Sequence, residues 1–166
     1  MFTYPNKLDT TVAGGVPAHQ TPFENVLSEA DEEASFPREL VERNARSAGA
    51  LTYMGLSGEA NGGKEQLICS DIVHVFDMEV GADVKPIPKD GEVKEFYLMP
   101  VEEVRAVLDR GEFKTNSAVV MIDFFIRHGI ITPENGPDYV EIVTRMHRRL
   151  PFPTTFSATT KQKPPQ

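Results

Sequence analysis

A helix start is written into Thr21-Pro22-Phe23-Glu24. Thr at the cap can accept from the third helical N–H, Glu at that third position can bond back to the cap, and Pro at the first position has no N–H to leave unsatisfied. Phe23, Val26, Leu27, Ala30 and Ala34 then recur at helical spacing until Pro37 stops the run. A helix with one apolar stripe has to bury it against another layer. The same helix carries Glu29, Glu32 and Glu33 at i, i+3 and i+4, so their carboxylates project from one face within about one turn. Four residues before them stand Asn25, Ser28 and Glu29, and four after stand Glu33, Phe36 and Pro37, none of them cationic.

The surrounding charge sharpens the pattern. The chain has 17 Lys and Arg against 25 Asp and Glu, a net charge of −8. Between Leu8 and Pro37 there is no Lys or Arg, but there are Asp9, Glu24, Glu29, Asp31, Glu32 and Glu33. A solvated helix face normally mixes signs, whereas a hard divalent cation needs converging carboxylate oxygens without competing cations. Both readings, solvated acidic face and seat for Mg²⁺ or Mn²⁺, are compatible with the spacing. The acidic balance argues against a nucleic-acid-binding surface. The longest apolar stretch, residues 118–126, is interrupted by Asp123 and falls far short of the roughly 20 residues of a bilayer crossing, so no membrane partner is expected. A lone Cys69 makes no internal disulfide and the first residues carry no apolar signal, which makes a reducing, cytoplasmic location the default.

Strands interleave with helices along the rest of the chain. Residues 10–13 form a short β-like run into Gly14-Gly15, and a second helix is predicted over 38–46. Strands follow at 47–56 and 66–80, around a Gly-rich loop at 57–64, then a turn at Asp90-Gly91 and a strand at 92–99. Helices are predicted at 100–110, at 116–128 and at 137–150, the middle one apolar on several sides and therefore buried. One domain over 1–150 with a disordered Pro-rich tail at 151–166 accounts for the pattern. The class is α/β, a mixed sheet with helices over its faces. Asp123, inside the apolar helix, should be hydrogen-bonded; His128 suits a helix C-terminus, Cys69 a small core or sheet-facing position, and His19 a solvated loop.

The segment Gly14-x5-Gln20-x7-Ser28-Glu29-Ala30-x-Glu32-Glu33-x-Ser35-Phe36 resembles the Nudix box. Gly14, Glu29, Ala30, Glu32 and Glu33 match its pattern; Gln20, Ser28 and Ser35 stand where the family has Glu, Arg and Gly. Further segments are similar to the thiamine-pyrophosphokinase-related Nudix proteins of fungi and plants: Thr3-Tyr4-Pro5, Leu8-Asp9, residues 11–15 and 32–35, Asp90-Gly91-Glu92-Val93 and residues 122–129.

This resemblance implies an α/β/α sandwich that hydrolyses a small organic diphosphate with Mg²⁺ or Mn²⁺. Glu29, Glu32 and Glu33 would be the metal ligands, with Ala13, Gly14 and Gly15 as the phosphate loop and a carbonyl of Ala13 or Gly14 as an added oxygen. Glu92 matches a position that often supplies a ligand or the base, so Glu33 and Glu92 are both candidate bases. The implied substrates are thiamine diphosphate derivatives or oxidised deoxyguanosine diphosphate (8-oxo-dGDP). The alternative is a degenerate fold that binds a diphosphate or a protein partner without hydrolysis, for which Ser28 and Gln20 speak. Relatives of this branch carry a further N-terminal domain and a strand before Thr3. Their absence here implies an unpaired sheet edge that invites a second copy or a partner strand.

Overall fold

The computed structural model describes residues 6–56 and 68–154. The expectations for residues 3–5, for the loop at 57–64, for 66–67 and for the tail beyond 154 lie outside the described residues. The element order is α1 (Pro22–Ala34), α2 (Arg38–Asn44), β1 (Ala45–Leu56), β2 (Ile68–Met78), α3 (Val101–Asp109), α4 (Thr115–Arg127) and α5 (Tyr139–Met146).

β1 and β2 pair antiparallel from Ala45 opposite Met78 to Leu56 opposite Ile68, with an irregularity between Ser47 and Gly49. Parallel pairing enters as isolated bridges, Leu8 with Phe113 and Thr52 with His147. Because successive residues point to opposite faces, Val75 and Phe76 look in opposite directions. On one side Leu51, Val75 and Met146 form a buried cluster with Val119, Val120, Ile122 and Ile126 of α4 and Ile142 of α5. On the other, Phe76 meets Phe23 of α1 with ring centroids 5.8 Å apart. The apolar stripe of α1 continues there as Leu27, Ala30 and Ala34, buried together with Phe36, Val41 and Ala45. Helices thus cover the sheet on both sides, as the α/β reading requires.

α1 starts as its sequence dictates. The Glu24 backbone N–H donates to Thr21 Oγ1 at 3.2 Å, and the Thr21 N–H donates to Glu24 Oε2 at 2.8 Å, so the capping box is closed. Exchanging such a cap for Ala typically costs about 1 kcal/mol. Asp123 is buried, and Arg127 Nε donates to its Oδ2 at 2.7 Å, as an apolar helix interior demands.

Three expectations fail locally. Residues 92–99 are irregular rather than a strand: Val93, Phe96 and Met99 are the half-buried positions, a period of three, while Leu98 is wholly exposed. β-propensity alone makes no strand where no ladder partner is available. Residues 10–13 likewise take no strand, the pairing there being the single bridge at Leu8. Cys69 lies on β2 but is exposed, beyond the part of the sheet that the helices cover.

Candidate metal centre

α1 buries Leu27, Ala30 and Ala34, and the same helical geometry places Glu29 and Glu33 against the backbone of residues 13–14. The Ala13 N–H donates to Glu33 Oε2 at 2.8 Å. Glu33 is only 6% exposed. Gly14 is in contact with the other glutamate: a Cβ on it would sit 1.9 Å from Glu29 Oε1, so any side chain there would displace that carboxylate. Two of the three loop residues singled out from the sequence therefore touch the two inner glutamates, while Gly15 has open space around it.

A second segment brings further carboxylates to Glu33. Glu33, Asp90 and Glu92 each offer an oxygen within 4.8 Å of the others. Asp90 and Glu92 are exposed and share a tight turn in which the Glu92 N–H donates to Asp90 Oδ1 at 2.8 Å, with Gly91 at φ 83°. Glu29 is half-buried beside this group, whereas Glu32 is exposed at its rim.

The electrostatics follow from the crowding. Burial pushes the Glu33 carboxyl up to about 7; the Ala13 N–H pulls the other way, and Glu29, Asp9 and Asp90 add repulsion. Glu29 is raised too, first by burial and then by Glu32, Glu92 and Asp90. Among the described residues, no ion pair involves Glu29, Glu32, Glu33, Asp90 or Glu92. A group of hard oxygen donors, partly desolvated and without a cation, suits Mg²⁺ or Mn²⁺ and no soft metal. In the sequence Asp90 stands out only as a turn residue; the Asp-x-Glu spacing, which lets a turn present two carboxylates together, is the signal it offers.

The departures from the box have local consequences. Ser35 sits in the left-handed region at φ 55°, ψ 30°, where the family has Gly. Ser28 spends its hydroxyl on the Glu24 carbonyl at 3.2 Å and reaches no glutamate side chain. Gln20 Oε1 is buried without a hydrogen-bond partner.

No protein-family model matches the chain. It is 43% identical over 156 residues to an uncharacterized protein of Saccharomyces cerevisiae, covering 92% of this chain and 46% of that one. It is 37% identical over 145 residues to Nudix hydrolase 24, chloroplastic, of Arabidopsis thaliana, covering 87% of this chain and 37% of the relative. The chain is thus similar, over most of its own length, to part of a plant Nudix hydrolase. Nudix hydrolase 20, chloroplastic, of the same plant is 35% identical over 148 residues, 89% of this chain and 37% of the relative. The chain thus spans less than half the length of each of these three relatives. Among the described residues no helix is long and apolar enough to cross a membrane.

Proposed function

We propose that this chain is a Nudix-type diphosphatase that hydrolyses a small organic diphosphate to the monophosphate and phosphate with Mg²⁺ or Mn²⁺. The observation that carries the reading is the meeting, free of cations among the described residues, of Glu33 with Asp90 and Glu92 of the 90–92 turn, Glu29 standing beside them, where Glu29 and Glu33 belong to a helix whose sequence resembles the Nudix box. The names of the two plant relatives support hydrolase chemistry. Glu29 and Glu33 would hold the ion together with Asp90 and Glu92, Glu32 completing the set at the rim. When bound, the ion supplies neutralising charge for the diphosphate oxygens and acidifies water.

The chain's own residues do the rest. The segment at residues 13–14 holds Glu33 and Glu29 in place, through the Ala13 N–H and the bare Gly14 Cα. Water attacks one phosphorus, the bridging P–O bond breaks, and a carboxylate takes the water's proton. Glu33 and Glu92 are the two candidates for that proton. A base lost by substitution costs turnover with metal affinity kept, whereas a ligand lost costs both.

The substrate reading, thiamine diphosphate derivatives or 8-oxo-dGDP, rests on the resemblance to the thiamine-pyrophosphokinase-related branch, while a cytoplasmic location with no nucleic-acid or membrane partner is proposed only as the default from composition. Phosphate release from thiamine diphosphate, its oxidised forms and 8-oxo-dGDP, with Mg²⁺ or Mn²⁺ and with Glu33→Gln alongside, tests it. Release that disappears in Glu33→Gln is the expected result; release that survives the change contradicts the site. A second reading, binding without hydrolysis, is favoured by Ser28 and by the orphaned Gln20 Oε1. Saturable diphosphate binding with no turnover under either metal would establish it.

A further inference from the structure

Two carboxylates of the candidate centre come from an exposed turn, and something has to hold that turn against α1. Three contacts do so, all made by the last turn of α1 and its cap. Ser35 Oγ donates to the Ile87 carbonyl at 2.9 Å. The Ile87 N–H donates to the Ala34 carbonyl at 2.9 Å. Lys89 Nζ pairs with Asp31 Oδ2 at 2.8 Å. Ile87 and Lys89 immediately precede Asp90, while Asp31, Ala34 and Ser35 flank Glu33.

Ser35 is the informative member. Its φ of 55° is a conformation that glycine adopts without strain and serine does not. The Ser35 and Phe36 N–H groups already close the helix onto the Asp31 and Ala30 carbonyls, at 3.2 and 2.9 Å, so the cap itself does not need the side chain. What the hydroxyl adds is the bond across 52 residues to Ile87.

Resting on the diphosphatase reading, we infer that Ser35 is a positioning residue, and that its hydroxyl together with the Asp31–Lys89 pair sets where Asp90 and Glu92 stand relative to Glu33. Supports of metal-binding groups typically change metal affinity or activity by about 10 to 100-fold when removed.

The test is Ser35→Gly in the full chain, beside Ser28→Ala, which removes a hydroxyl from the same helix without touching the 87–92 segment. Glycine relaxes the left-handed backbone while losing the bond, so the melting temperature should stay close to that of the parent. Amide hydrogen exchange without metal should become faster over residues 87–92, and Mn²⁺ affinity, read by the spin resonance of the free ion, should fall about tenfold. Ser28→Ala should leave both unchanged. Parent-like exchange or parent-like Mn²⁺ affinity in Ser35→Gly would overturn the positioning role. A parent chain that takes up no Mn²⁺ would instead overturn the diphosphatase reading on which it rests.

Discussion

Asp77 and Asp123 share Arg127, whereas Glu29, Glu33, Asp90 and Glu92 share nothing positive among the described residues. In the first group Arg127 bonds Asp77 with both terminal nitrogens and Asp123 through Nε, and His128 Nε2 lies 3.3 Å from Asp77. The Arg127 hydrogen bonds hold the Asp77 carboxyl below its ordinary range, and Arg127 itself is raised by them. In the second group burial and like charge push Glu29 and Glu33 the other way. Both groups join segments far apart in sequence, β2 to α4 in one and α1 to the 87–92 turn in the other. The first supplies its own counter-charge and is structural. The second lacks one among the described residues, which is the feature on which the proposed cation site rests.

Removing the counter-charge from the compensated side should have the largest effect. Arg127→Met strands the buried Asp123 and should lower stability by about 3–5 kcal/mol in urea denaturation. Removing a charge from the uncompensated side should do the opposite to the fold. Glu33→Gln should raise the melting temperature of the metal-free chain at pH 8 while reducing metal-dependent phosphate release by about 100-fold or more.

Opposite shifts also give opposite pH dependences. Asp77, with its folded pKa lowered, contributes stability that is present above its unfolded value of 3.8 and lost as pH falls below it. Glu33, raised from 4.5 to about 7, contributes stability that is fully present below pH 4.5 and lost as pH rises through 7. Without metal, the Glu33 contribution should therefore make the chain more stable near pH 5 than near pH 8. Saturating Mg²⁺ should restore stability at pH 8, by about 2.7 kcal/mol at a hundredfold excess over its dissociation constant, and by less at pH 6, where protons compete. Thermal melts at both pH values, with Mg²⁺ and with chelator, measure this directly.

The smallest effect should come from giving the acidic side a cation. Ser28→Arg places a guanidinium four residues before Glu32, the weaker orientation of such a pair, and should add only about 0.2 kcal/mol of stability at low salt. Melting curves at low and high salt would resolve it, and a gain that survives high salt would speak against a charge effect.

What could be read in the sequence was local. The start of α1, its apolar stripe and the clustering of Glu29, Glu32 and Glu33 within one turn follow from capping and period alone, and the structure keeps the cap bond for bond. Asp123 had to find a partner, and the next turn of its own helix supplies it. What escaped was long-range. Residues 92–99 have strand composition, but whether they gain a ladder partner depends on segments elsewhere in the chain. Asp90 looked like a turn residue and is one, yet its approach to Glu33 is set by contacts such as Ser35 to Ile87, which no spacing rule reveals.

The central claim is that the uncompensated carboxylates form a divalent-cation seat. Calorimetric titration of the chain with Mn²⁺ at pH 8, beside Glu33→Gln, tests it most directly. The account predicts saturable binding in the parent chain that weakens at pH 6 and is lost in Glu33→Gln. Absence of saturable binding, or equal binding by both chains, would contradict it.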